Sequence, residues 1–236
     1  MKKMLFTTTL ALAFAIVVQA AQAKSNSATT PSPRDPGWVK RHDGFVEIAK
    51  KGGVDLLFLG DSITDGWRGG GKEVWEKNYG SLKAANFGIG GDQTQHVLWR
   101  LQNGELDRIK PKLAVLMIGT NNLGGNKDEE IVDGIKAIVA ELHKQTPDTK
   151  LLLLGIFPRG MKADDGARAR IKHINSIIAK LDDDGKTIKY LDIGDKFLEA
   201  DGTLPKSIMP DALHPNGKGY EIWAEAIGPT MKEMMK

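Results

Sequence analysis

Residues 54–67 read VDLLFLGDSITDGW, and their interpretation decides the fold and frames the chemistry. An almost continuous apolar run ends abruptly in Gly60-Asp61-Ser62. Such a run suits a strand buried on both faces, as in parallel sheets covered by helices. The small polar cluster after it marks the hand-over to a helix, because Asp and Ser oxygens accept the free N–H groups of a first turn. Locally, then, Ser62 is no more than a helix cap. To act as a nucleophile it needs a base, an orienting carboxylate and donors for an oxyanion, which must come from elsewhere in the chain.

The same signature recurs downstream. KLAVLMIGT (112–120) and KLLLLGIFP (150–158) are further buried-strand candidates, with weaker ones at AANFG (84–88) and TIKYLDI (187–193). Helix-periodic stretches lie between and after them at about 93–104, 127–146, 164–183 and 215–235. In the second, Ile131, Ile135, Ile138, Val139 and Leu142 recur at helical spacing and form an ordinary core stripe. This alternation predicts an α/β fold with a parallel sheet of about five strands between helices. Ligand sites in such folds lie at the carboxyl ends of the strands. Those ends here carry GDSIT, GIGGD, GTNN and FPRG.

The first residues read differently. MKKMLFTTTLALAFAIVVQAAQA has Lys2 and Lys3, an apolar stretch and Ala21-Gln22-Ala23, the pattern of a signal peptide over 1–23. The expectation is an exported protein, periplasmic or secreted. The uninterrupted run Leu10 to Val18 is well short of the roughly 20 residues that cross a bilayer, so no stable membrane insertion is expected. Setting aside Lys2 and Lys3 leaves 31 basic against 30 acidic residues, and no block of like charge suggests a nucleic-acid partner. Residues 24–36, rich in Ser, Thr and Pro, are expected to be a flexible lead-in, and 37–236 to form one domain. Cysteine is absent, which excludes disulfides and thiol catalysis.

Three tempting motifs fail. GWRGGGK (66–72) has phosphate-loop spacing, but Glu73 stands where a magnesium-binding Ser or Thr belongs. GIGGDQ (88–93) lacks the third glycine of a dinucleotide fingerprint. DDDG (182–185) lacks the alternating ligands of a calcium loop. The histidines do not cluster at metal-ligand spacing, so no metal and no cofactor is expected.

Among the histidines, His42 falls in the lead-in region, and His143 and His173 sit among polar helical neighbours, where a solvated surface is the plain reading. His96 follows GIGGD and borders a strand end. His214, in PDALHPNGKGY, differs: Asp211 precedes it by three residues and Pro215 follows. Three residues apart on one helical turn fall on the same side. The Asp211 carboxylate then fixes one ring nitrogen and leaves the other to take the Ser62 proton. Backbone N–H groups of Ser62 and Gly91 and the side-chain amide of Asn121 could stabilise the oxyanion, Gly91 because no side chain blocks the approach.

The four blocks together resemble the SGNH (GDSL) hydrolases: GDSIT with Ser62, GIGGD with Gly91, GTNN with Asn121, and DALHP with Asp211 and His214. NFGIGGDQTQHVLWRLQNGEL (86–106) and FPRG (157–160) resemble the branch containing the catalytic subunits of intracellular platelet-activating-factor acetylhydrolase. The resemblance implies a flavodoxin-like three-layer α/β/α sandwich and metal-free ester hydrolysis by a Ser62–His214–Asp211 triad. It also implies an oxyanion hole of Ser62, Gly91 and Asn121, and suggests a homodimer. Asn122 stands where Asp is common in the family, although that branch shares Asn. An exported chain would act on acetylated carbohydrate, wall polymers or acetyl phospholipid, whereas the animal relatives are cytosolic. Ile63 and Leu213, covalent neighbours of the nucleophile and base, are expected to bound a short-acyl pocket. The competing reading is a secreted carbohydrate-binding module without turnover, which would not need the aligned Ser, His and Asp.

Overall fold

The computed structural model describes residues 26–236. The leader expectation over 1–23 therefore lies outside the described residues. The elements in chain order are α1 (Pro36–Lys51), β1 (Leu56–Gly60), α2 (Ser62–Asp65), α3 (Lys72–Tyr79), β2 (Ala84–Gly88), α4 (Thr94–Arg100), β3 (Leu113–Met117), α5 (Asp128–Gln145), β4 (Lys150–Leu154), α6 (Gly166–Ile178), β5 (Ile188–Leu191) and α7 (Gly217–Met234). All five strand candidates form one sheet of order β2-β1-β3-β4-β5, every pair parallel, with Leu56 opposite both Ala84 and Leu113.

Alternating side chains of each strand supply two separate cores, because successive residues point to opposite faces. Leu57, Leu59, Phe87, Leu116 and Leu153 pack under α1, α4, α5 and α6. Leu56, Phe58, Val115, Leu152 and Leu154 pack under the α2–α3 region and α7, where Trp67, Tyr79, Tyr220 and Trp223 form an aromatic layer. This is the three-layer α/β/α sandwich of flavodoxin-like order. The chain leaves β1 for β2 on one side and then crosses to β3 on the other. The crevice at a topological switch point thus opens between the carboxyl ends of β1 and β3.

Two expectations are corrected. The segment before α1 is held on the domain rather than free: Thr94 Oγ1 donates to the Ala28 carbonyl at 2.8 Å, and Asn126 Nδ2 to Ser27 Oγ at 2.8 Å. Asp35 then caps α1 by accepting from Gly37 and Trp38 N–H, with Pro36 at the first helical position. His42, expected on a solvated surface, is buried in α1, with its ring nitrogens against Glu105 Oε1 at 3.3 Å and the Asn103 carbonyl at 3.0 Å.

The β1–α2 junction is packed against the end of β2 with no space to spare. A Cβ on Gly88 would lie 2.3 Å from the Asp65 nitrogen and 2.7 Å from the Thr64 carbonyl carbon. Both are backbone atoms and cannot step aside. Gly88→Ala is therefore expected to lower stability by about 1–3 kcal/mol, read as a lower urea midpoint at unchanged slope. Gly125→Ala, whose Cβ would meet nothing within 4 Å, should shift it by no more than about 0.5 kcal/mol. Equal effects at the two positions would contradict this packing.

Candidate active site

The opening of α2 separates the two duties that the sequence left tangled at Ser62. Asp61 is the cap: its Oδ1 accepts the Ile63 N–H at 2.9 Å. Ser62 is the first helical residue, so its hydroxyl is free for another partner, and that partner is His214, with Oγ and Nε2 2.9 Å apart. The other ring nitrogen, Nδ1, is 2.6 Å from Asp211 Oδ2. Three residues drawn from the two ends of the domain thus form one hydrogen-bonded line.

The Asp211–His214 contact is not built on a helical turn. Asp211 Oδ1 accepts the backbone N–H groups of Leu213 at 3.1 Å and His214 at 2.8 Å, an Asx-type turn, and Ala212 between them has φ +59°. This left-handed residue lets the chain double back, so the carboxylate reaches the imidazole without helix geometry. The loop is tied down at both ends. Gly160 N–H donates to the Ala212 carbonyl at 2.9 Å, and Asn216 N–H to that of Ile208 at 2.9 Å. Burial works to raise the Asp211 carboxyl, but hydrogen bonds from the His214 ring and from the His214 and Leu213 N–H groups outweigh it and hold it below its usual value. Asp211 stays ionised and fixes the ring with Nε2 toward Ser62. Its side chain is 56% exposed, far wetter than the buried aspartate of the serine-protease template.

Opposite this line lies the Gly90–Gly91–Asp92 turn. Gly91 has φ +79°, and the Cβ of any other residue would sit 3.2 Å from the Arg34 guanidinium. Among the described residues the backbone N–H groups of Ser62 and Gly91 have no acceptor. Asn121 Nδ2 donates one hydrogen to the Asp92 carbonyl at 2.9 Å, which leaves its second amide hydrogen uncommitted. Asn122 is fully buried and structural. It accepts from Thr94 N–H at 3.0 Å and donates to Gln95 Oε1 and Asn126 Oδ1, anchoring the start of α4.

His96 is no competitor for the base. Burial, with the Arg34 and Arg100 charges, lowers it to about 4, and its Nδ1 accepts the Gln93 N–H at 2.9 Å as part of a helix cap. Ile63, expected to line a pocket, is a core residue only 1% exposed, and its carbonyl accepts the Tyr220 hydroxyl at 2.7 Å. Of the two pocket candidates only Leu213, partly buried, has surface to offer. Sequence reasoning missed the ion network behind the turn. Asp92 is wholly buried and binds Trp38 Nε1 at 2.6 Å, Arg100 Nε at 3.0 Å and Arg34 Nη1 at 3.2 Å. Arg100 continues to Glu105 Oε1 at 2.6 Å. Asp92, Arg100 and Glu105 all stand in the 86–106 block, where a buried Arg within a helix could have signalled the network.

Asp61 carries a further consequence. It is fully buried, its Oδ2 has no hydrogen-bond partner among the described residues, and burial, reinforced by the Asp92 charge, pushes its carboxyl up to about 7. Between its ordinary 3.8 and about 7 the folded chain holds a proton that the unfolded chain has released. Stability therefore falls as pH rises through that window and levels off above it. Asp61→Asn removes this term, so its stability relative to the parent should improve from pH 5 to pH 8. Urea midpoints at both pH values test this, and an unchanged gap would mean that Asp61 does not titrate there.

Comparison with known proteins identifies the family. The model of the GDSL-like Lipase/Acylhydrolase family matches residues 58–222. The human platelet-activating factor acetylhydrolase IB subunit alpha2 is 38% identical over 205 residues, covering 85% of this chain and 88% of that protein. The bovine alpha1 subunit is 36% identical over 207 residues, covering 86% and 88%. Among solved structures, a GDSL-like lipase from Bacteroides thetaiotaomicron superposes with TM-score 0.66 at 21% identity, over 82% of this chain and 97% of that one. A catalytic mutant of an acetylxylan esterase from Geobacillus stearothermophilus gives 0.60 at 21%, over 78% and 94%. At such identities these two speak for the fold alone. The curated relatives overturn the expectation of export, since they are intracellular acetylhydrolase subunits rather than exported proteins. The chain belongs to the GDSL-like lipase/acylhydrolase family of carboxylic ester hydrolases.

Proposed function

We propose that the chain hydrolyses short-chain acyl esters, acetyl esters first, with Ser62 as nucleophile, His214 as general base and then acid, and Asp211 as its orienter. The observation that carries this reading is the 2.9 Å approach of Ser62 Oγ to His214 Nε2, with the Ser62 and Gly91 N–H groups left without an acceptor among the described residues. His214 Nε2 takes the hydroxyl proton as Oγ attacks the ester carbonyl carbon. The carbonyl oxygen becomes an oxyanion, which the N–H groups of Ser62 and Gly91 and the Asn121 amide stabilise. Collapse expels the alcohol, which takes the proton from His214, and leaves an acyl group on Oγ. Water, deprotonated by the same nitrogen, then attacks the acyl carbon and regenerates the serine. Preference for acetyl is supported by the relatives named as acetylhydrolases.

Kinetics with p-nitrophenyl esters test the assignment. Ser62→Ala and His214→Ala should each abolish nearly all turnover, and the double variant should be little worse, since such residues act as a unit. Independent, multiplying losses would count against the triad. The exposure of Asp211 screens its charge, so Asp211→Asn should cost roughly 10²-fold in kcat rather than the roughly 10⁴-fold of the buried template.

Acyl length is the second axis. Leu213, next to the base in the chain, is apolar and only partly buried, and each methylene left unburied forfeits about 0.8 kcal/mol. Acetyl esters should exceed octanoyl esters by at least about a hundredfold in kcat/KM, and Leu213→Ala should narrow that ratio. Octanoyl esters hydrolysed equally well by the parent chain would exclude a short-acyl site.

A further inference from the structure

We infer that Arg34, on the segment before α1 and outside the family-matched region, is a positioning residue that locks the oxyanion-binding peptide of the Gly90–Gly91 turn. The inference rests on the esterase reading above and adds a residue to it.

The argument begins with the peptide unit. The Gly90 carbonyl and the Gly91 N–H belong to one planar group, so fixing the direction of the oxygen fixes that of the N–H on the opposite side. A bond between two glycines is the least able to hold such an orientation by itself, because neither residue has a Cβ to restrict it. The unit needs an external lock. Arg34 Nη1 donates to the Gly90 carbonyl oxygen at 2.7 Å and to Asp92 Oδ1 at 3.2 Å. Its guanidinium also lies flat enough against Gly91 that Nη1 and Nη2 would both be 3.2 Å from an added Cβ. A charged donor on the carbonyl further polarises the peptide and strengthens its N–H as a donor.

Arg34 is itself held in place. Residues 26–35 run over the start of α4, pinned by Thr94 Oγ1 on the Ala28 carbonyl and by Ser32 N–H on the Gln95 carbonyl at 3.4 Å. Asp35, the next residue, caps α1. Arg34 is not the sole partner of Asp92, since the Arg100 charge and the Trp38 N–H also bind it. The Arg34 side chain keeps 31% of its surface exposed, whereas Asp92 has none. Replacing Arg34 thus leaves Asp92 two of its three side-chain partners, but takes from the Gly90 carbonyl the one donor it has among the described residues. The segment 26–35 is then a strap that completes the site.

The test is steady-state kinetics on p-nitrophenyl acetate with Arg34→Gln and Arg34→Lys, alongside thermal melting of each. Removing a whole oxyanion donor costs roughly 10²–10³-fold in kcat, so loosening one should cost roughly 10–100-fold with KM within about twofold. Melting should change little for Gln, and Lys, which keeps a cationic donor but loses the planar fork, should retain between about a tenth and about half of parental kcat. Arg34→Gln with kcat within threefold of the parent would overturn the lock, as would a loss confined to KM, which would make Arg34 a substrate contact. Should the Gln variant melt below the assay temperature, Lys alone decides: reduced kcat at unchanged KM supports the lock, and parental kcat overturns it. A parent chain without any turnover would instead refute the esterase reading itself.

Discussion

The site depends on one buried carboxylate. Asp92 sits at the end of β2 with no exposed surface, where an unpaired charge would be prohibitively costly. It is tolerated because Arg100, Trp38 and Arg34 converge on it from α4, α1 and the N-terminal segment. Its backbone carbonyl holds Asn121 at 2.9 Å, which brings the loop after β3 into the same arrangement. The carboxylate therefore fastens three segments and the Asp92 backbone a fourth, and the turn carrying Gly90 and Gly91 lies beside Ser62. Arg100 extends the fastening by donating to the Phe87 carbonyl at 2.9 Å and to Glu105, so α4 is locked to the strand it follows.

The opposite side of the site is fastened through the second core. Tyr220 of α7 donates to the Ile63 carbonyl, and Asn216 caps α7 by accepting from Gly219 N–H at 3.1 Å. The histidine loop lies immediately before that cap. The helix that packs under Phe58 and Trp67 thus also sets the distance from His214 to Ser62. The site is a meeting of two sheet faces at the point where strand order reverses, and neither face alone supplies a complete constellation.

Much of this is legible in the sequence because burial on both faces leaves strands with little choice of composition. Leu56–Gly60, Leu113–Met117 and Lys150–Leu154 stand out for that reason, and the small polar blocks behind them locate the rim. Less legible are features that depend on distant partners. In α1, Trp38, His42, Phe45 and Ala49 form the buried stripe, but a histidine in the stripe and glycines at 37 and 44 hide the helical period. Residues 26–35 have the composition of a loose linker and become ordered only through acceptors and donors on α4 and near α5. Ile63 looked like a pocket wall because it follows Ser62, yet α2 turns its side chain into the core. The Asp211–His214 spacing fits a helical turn and an Asx turn equally well, and only the left-handed Ala212 tells them apart.

The account turns on Ser62 being covalently acylated while two preorganised N–H groups hold the oxyanion. Rapid acid quench during turnover of p-nitrophenyl acetate, followed by peptide mass spectrometry, tests that directly. The account predicts an acetyl adduct on Ser62 in the parent chain, lost in Ser62→Ala and formed much more slowly in His214→Ala. Turnover without any adduct on Ser62, or with the acetyl group on another residue of the active chain, would contradict it.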